Sequence, residues 1–217
     1  MLPETVKTQS KGDGTVKEMP RRENSFSTPW EIQCFLSSIP YNSKVECKSP
    51  KRVLTERTAH CFEGALFAAS RLRVLGHPPL LMDLKAWNDD DHVIALFKSG
   101  PCWGAVAKSN FTTLRFREPV YRSLRELAMS YFDFYFNTLG QKTLRAYSAP
   151  LRLSRFDRRE WTDTDEDLEY IGDAFGRLRY FPLLAPGQEE RLSPVEGDLL
   201  RAGLLGSNPA GLFTPSE

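Results

Sequence analysis

Thr58-Ala59-His60-Cys61-Phe62-Glu63-Gly64-Ala65-Leu66-Phe67-Ala68-Ala69-Ser70-Arg71-Leu72 carries apolar side chains at Phe62, Ala65, Leu66, Ala69 and Leu72. Steps of three and four residues place them on one face of a helix. Thr58 suits the N-cap, and Gly76 followed by His77-Pro78-Pro79 supplies a left-handed cap and a stop. Cys61 therefore falls in the first turn, where unpaired amides and the helix dipole favour negative charge.

Outward from this helix the pattern turns to strands. Leu80 to Leu84 is an apolar run too short for a helix after two prolines, and it leads into the polar loop Asn88-Asp89-Asp90-Asp91. The runs His92 to Lys98 and Cys102 to Lys108, joined through Ser99-Gly100-Pro101, predict a β-hairpin. Upstream, Trp30 to Pro40 reads as a strand or a short helix. Downstream, Pro119 is placed to start a helix whose stripe includes Tyr121, Leu124, Leu127, Ala128, Tyr131, Phe134 and Tyr135, with a further strand over Thr143 to Tyr147. A last helix is predicted near 163–178, from Leu168, Ile171, Phe175 and Leu178 behind the acidic residues Asp163, Asp165 and Glu166. The fold class expected is α+β, with a helix carrying Cys61 packed on an antiparallel sheet. One main domain over residues 30–182 is flanked by a polar, flexible arm at 1–29 and an extended Pro/Gly-rich tail at 183–217.

Composition narrows the function classes. The 29 basic and 28 acidic residues nearly cancel, so no overall charge points to nucleic acid or an anionic membrane. The cluster Arg152, Arg155, Arg158 and Arg159 reads as an exposed face. No run approaches the roughly 18 apolar residues of a membrane span, and residues 1–30 lack the apolar stretch of a secretory signal. A soluble, cytoplasmic chain with reduced thiols is the expectation, since Cys34, Cys47, Cys61 and Cys102 are scattered. Those cysteines and His77 lack the short paired spacings of a zinc site, and the three aspartates of the acidic loop read as a solvated turn; neither a metal nor a cofactor is expected.

A cysteine is nucleophilic as its thiolate, which a helix N-terminus and a neighbouring imidazole both favour. His92 opens a strand at the sheet end, where clefts are built. Antiparallel pairing across the hairpin sets His92 opposite Lys108 or Ser109 and brings Asn110 alongside, so Asn110 is the expected orienter of the imidazole, with Ser109 as the alternative if the register shifts by one. Asp91 is a supporting candidate for holding His92, and His60 and Glu63 flank the thiol.

Cysteine at a helix start, histidine on the first strand of a hairpin, and a polar residue at the end of the next strand together resemble the transglutaminase-like superfamily. The segments that carry the resemblance are Thr58 to Glu63, the helix end Leu72 to Gly76, Asp91-His92-Val93, and Trp103 to Asn110, within a span of roughly Trp30 to Pro150. The resemblance implies a papain-like core. It also implies a thioester formed on Cys61 with a glutamine or other acyl donor, and a proton shuttled by His92. Two departures stand out: Asn110 or Ser109 where the family usually has aspartate, and Phe62 where many members have tryptophan. The function expected is a cysteine-dependent acyl transferase or amide hydrolase acting on a peptide or amide. The alternative is an inactive binding module on the same fold, because a lone helix cysteine is most often a small buried hydrophobe.

Overall fold

In the computed structural model, which describes residues 25–216, proline opens the first two helices. Helix α1 (Pro29–Ser38) is capped by the Thr28 side chain, which accepts from the Glu31 N–H; α2 (Pro50–Glu56) is capped likewise by Ser49, accepting from Arg52. Proline lacks the N–H that would go unpaired there and is preset for helical φ. The arm expected over residues 1–29 lies almost wholly outside the described residues, but Phe26 is described and packs edge-on against Phe35 and Phe67.

Helix α3 (Cys61–Val74) starts two residues later than the Thr58 cap implied. His60 is the N-cap, and the Glu63 carboxylate reaches back to accept its N–H at 2.8 Å. Thr58 instead accepts from the Lys48 ammonium. At the far end Gly76 adopts φ +90°, and the His77 and Gly76 amides donate to the Leu72 and Arg73 carbonyls. Only a residue without Cβ takes that left-handed cap at no cost.

The strands are β1 (Leu80–Ala86), β2 (His92–Ser99), β3 (Cys102–Val106), β4 (Arg117–Tyr121), β5 (Leu144–Ser148), β6 (Leu151–Arg152) and β7 (Tyr180–Pro182). They form one antiparallel sheet ordered β4-β3-β2-β1-β5-β7, with β6 also paired to β1. The β2–β3 hairpin closes on Gly100-Pro101 alone, Ser99 pairing with Cys102, with Gly100 at φ +56°. Pro119 does not start a helix; it lies within β4, an edge strand where a missing N–H leaves no ladder bond unmade. The helix after it, α4 (Leu124–Phe132), begins at the Ser123 cap.

Two other expectations change. The helix near 163–178 is a single turn, α5 (Glu169–Gly172), continued as a 3-10 turn over Asp173–Arg177, with glycine at 172 and 176. The acids Asp163, Asp165 and Glu166 lie in the preceding turn. The tail at 183–217 is not simply extended, for it contains α6 (Gly197–Gly203).

Both faces of the sheet are covered. α1, α2 and α3 bury Ile32, Leu36, Val53, Ala65, Leu66, Ala69 and Leu72 against Leu81, Val93, Ala95 and Phe97. On the other face Leu80, Met82, Leu84, Ile94 and Leu96 meet Leu127 and Tyr131 of α4, then Tyr135, Phe136 and the leucines of α6. Period-2 alternation separates the two sets: Asp83 pairs with Val93 and faces one layer, Leu84 pairs with His92 and faces the other.

One close approach holds α3 to the sheet. A Cβ on Gly64 would lie 2.3 Å from the Cβ of Lys108, whose buried ammonium donates to the carbonyls of Leu36 and Ile39 at the end of α1. Gly64→Ala is expected to cost about 1–3 kcal/mol through overpacking, seen as a lower urea midpoint at unchanged m-value; an unchanged midpoint would show that this contact is slack.

Candidate functional site

Cys61, His92, Asn110, Ser109 and Asp91 all line one cavity at the end of the sheet, together with Tyr41, Asp90, Leu114, Tyr135 and the segment Gly211 to Phe213. His60 is not among its walls; its Nε2 lies 3.1 Å from the Glu46 carbonyl. The cavity holds about 40 Å³, room for a few waters and well below the 300–1,000 Å³ of an open ligand pocket.

Cys61 sits where the first turn of α3 meets the start of β2. Its thiol is 3.9 Å from the Asp91 carbonyl, and the backbone N–H groups of Val93 and Phe62 point at the sulfur. Burial nevertheless pushes the thiol up to about 11, and the carboxylates of Asp90 and Asp83 push the same way. The helix start and the two amides do not outweigh burial and neighbouring acids, so at neutral pH the sulfur is protonated. The phenol of Tyr41 faces both the backbone N–H and the sulfur of Cys61; burial, then the nearby Cys61 and Asp90, raise its own pKa.

His92 is buried, 2.9 Å from Nε2 to the Leu114 carbonyl, with Tyr131 and Tyr135 edge-on at 6.4 and 6.3 Å. A carbonyl only accepts, so Nε2 carries the hydrogen and Nδ1 is left with the lone pair. Burial lowers the imidazole to about 4 against its ordinary 6.5, more than the Leu114 bond opposes, with Arg117 adding to the fall. It is a neutral base in the resting protein.

The orienter is thus the main chain of Leu114, and the expectation of Asn110 is corrected. The β2–β3 register, carried on past its last pair Ala95–Val106, sets His92 level with Ser109 as the sequence pattern allowed. Yet Ser109 Oγ accepts from the Phe111 N–H, and both ends of the Asn110 amide are taken by the backbone of Asn208. Asp91 does not hold His92 either: its carboxylate accepts from the Ala86 N–H and from Lys85. Leu114 and Tyr41 were missed because a main-chain carbonyl leaves no mark in a sequence, and a tyrosine twenty residues before the cysteine has no local signal.

The acidic loop is internally used. Asp89 accepts from Thr143 and from the Asp90 N–H, and burial raises it to about 6. Asp83, under the sheet beside the site, accepts from the Tyr180 hydroxyl and is also raised to about 6 by burial. Among the described residues no group of three His, Cys, Asp or Glu side chains is set to hold a metal, and no helix is long and apolar enough to cross a membrane.

No protein-family model matches the chain, and no curated protein matches it.

Two outcomes follow from the electrostatics. Because folding depresses the His92 pKa, its contribution is intact above the unfolded value near 6.5 and is lost as pH falls towards 4. The loss is at most about 3 kcal/mol; long-range 1H–15N spectra should show the Nε2–H tautomer persisting at pH 5, and an imidazolium there would refute the assignment. Asp90→Asn removes a carboxylate that disfavours the thiolate, so Cys61 alkylation at pH 8 should rise severalfold in low salt and less in 1 M salt.

Proposed function

We propose that the chain is a cysteine-dependent acyl transferase or amide hydrolase of the transglutaminase-like, papain-like kind, working through a thioester on Cys61. The observation that supports this reading is that the thiol and a neutral, orientable imidazole wall the same cavity, with Nε2 of His92 committed to Leu114. Nδ1 is then the proton acceptor. It takes the thiol proton as the sulfur bonds to the carbonyl carbon of a peptide or amide, and returns it to the nitrogen as the carbon–nitrogen bond breaks. Water or an amine then attacks the thioester, its proton passing to His92 and then back to the departing sulfur. In this reading the Tyr41 hydroxyl donates to the tetrahedral oxyanion, and the Cys61 N–H that faces Tyr41 turns to join it. The departure from the usual aspartate is met by a carbonyl, which fixes the imidazole tautomer without adding a charge that would stabilise imidazolium. The resting pair is therefore thiol and imidazole, and activation waits for general-base transfer. Four free thiols suit a reducing, cytoplasmic setting.

A second reading, a binding module without turnover on the same core, draws on the raised thiol pKa. Iodoacetamide labelling at pH 8 with mass-spectrometric mapping separates the two. Catalysis requires Cys61 labelling to slow about tenfold or more in His92→Ala while the other three thiols are unaffected; Cys61 labelling indifferent to His92 leaves the binding module standing.

A further inference from the structure

Gly211, Leu212 and Phe213, near the end of the chain, form one wall of the cavity that Cys61 lines. This segment is held to the body in an unusual way. The Asn110 amide donates to the Asn208 carbonyl at 2.9 Å and accepts the Asn208 N–H at 2.7 Å. The Asn88 amide does the same to Ser216, donating to its carbonyl at 2.9 Å and accepting its N–H at 2.8 Å. Each clamp grips the main chain of one residue and ignores its side chain, which is how a protein reads a peptide backbone without a sheet edge; between the clamps Pro209–Gly211 makes one 3-10 turn.

The two clamps are themselves anchored. Asn88 bonds Gln141 through its side chain, and its carbonyl accepts from Asn137. Asn110 follows directly on the Lys108-Ser109 stretch that continues β3. Between them the segment lies flat on Tyr41: a Cβ at Gly211 would come within 2.8 and 2.9 Å of the Tyr41 ring and 3.4 Å of the Asn110 amide. The one other described hydrogen bond from this stretch to the body is the Asn208 side chain donating to the Tyr41 carbonyl, and Leu212 packs on the second core. The amides of Gly211 and Leu212 bond back to Asn208 and Pro209, inside the segment itself. Nothing in residues 208–216 pairs with a strand.

We infer that the surface from Asn110 past Tyr41 and Cys61 to Asn88 is a binding site for a peptide main chain that makes one 3-10 turn, with a glycine over Tyr41 followed by two apolar residues, and that residues 208–216 occupy it in cis. This deepens the proposed function by naming its substrate class, and it rests on that reading only for the step at Cys61. The groove itself needs no chemistry. Since the tethered segment competes at an effective concentration in the millimolar range, the free peptide binds only after the tether is displaced. Displacement also frees Tyr41, so release of the tether exposes the sulfur and a bound peptide covers it again.

The test uses the full chain with Gly211→Leu, whose side chain has no room on Tyr41, and the synthetic peptide Asn-Pro-Ala-Gly-Leu-Phe-Thr-Pro-Ser carrying a fluorophore. In Gly211→Leu the expected alkylation of Cys61 by fluorescein maleimide is about tenfold faster or more than in the unsubstituted chain, and added peptide slows it again. Anisotropy on Cys61→Ala/Gly211→Leu should show saturable binding that Asn110→Ala weakens at least tenfold and that a scrambled peptide lacks. Should Gly211→Leu fail to fold, Asn88→Ala opens the groove from its other end with the same two readouts. Folded variants with unchanged Cys61 alkylation and no peptide binding would overturn the inference. Binding by the Cys61→Ala chain would sustain it even were Cys61 never found to turn over, whereas a fast Cys61 without peptide binding would sink the groove and leave the acyl-transfer reading intact.

Discussion

A single buried carboxylate fixes the geometry on which the site depends. Glu63 is fully buried, and its two oxygens accept from the Asn42 side-chain amide, the Lys48 N–H and the His60 N–H. Three separate stretches thereby converge on the first turn of α3. Each donor would be an orphan without the carboxylate, and the carboxylate would be a costly buried charge without them. Because Cys61 lies two residues before Glu63, the knot sets where the sulfur stands against the start of β2. The next residue, Gly64, lets α3 come down on Lys108, whose ammonium closes the end of α1. Position of the sulfur, approach of the helix and end of its neighbour are thus one cooperative arrangement.

Electrostatics around the sulfur run against its placement. A helix start and two amides favour thiolate, yet burial and the acids Asp90 and Asp83 leave the thiol protonated. On the other side of β2, His92 is kept neutral by burial among tyrosines. Burial is the first cause of both shifts, and both side chains line the same cavity of about 40 Å³, one wall of which is Gly211 to Phe213.

The amphipathic period of α3, its glycine stop, and the hairpin from His92 were legible because each rests on local chemistry: helical spacing, a left-handed cap, alternation. So was the convergence of Cys61, His92, Ser109, Asn110 and Asp91 on one cavity. The failures share another character. Thr58 was the better cap by type, but the carboxylate of Glu63 reaching His60 is a tertiary fact as well as a local one, since Asn42 and Lys48 hold it in place. Pro119 is preset for a helix start, yet at the sheet edge the same missing N–H suits a strand. Asn110 has the right chemistry to orient an imidazole, and was drawn away by a main chain 98 residues further on. Helix α6 was hidden among Pro and Gly, though Leu199, Leu200 and Leu204 pack on the second core.

That last displacement bears on how the site is organised. If Asn110 had oriented His92, an open groove and an aligned imidazole would both have needed the same amide, and peptide binding would compete with catalysis. Giving the imidazole to the Leu114 carbonyl separates the tasks. Leu114 is buried in the second core and its carbonyl bonds His92, while the Asn110 amide bonds the main chain of Asn208 instead. In the proposed reading the base is set by the core, and the groove by residues at its rim. Tyr41 alone belongs to both, its ring under Gly211 and its hydroxyl at Cys61, which makes it the residue through which occupancy of the groove is felt at the sulfur.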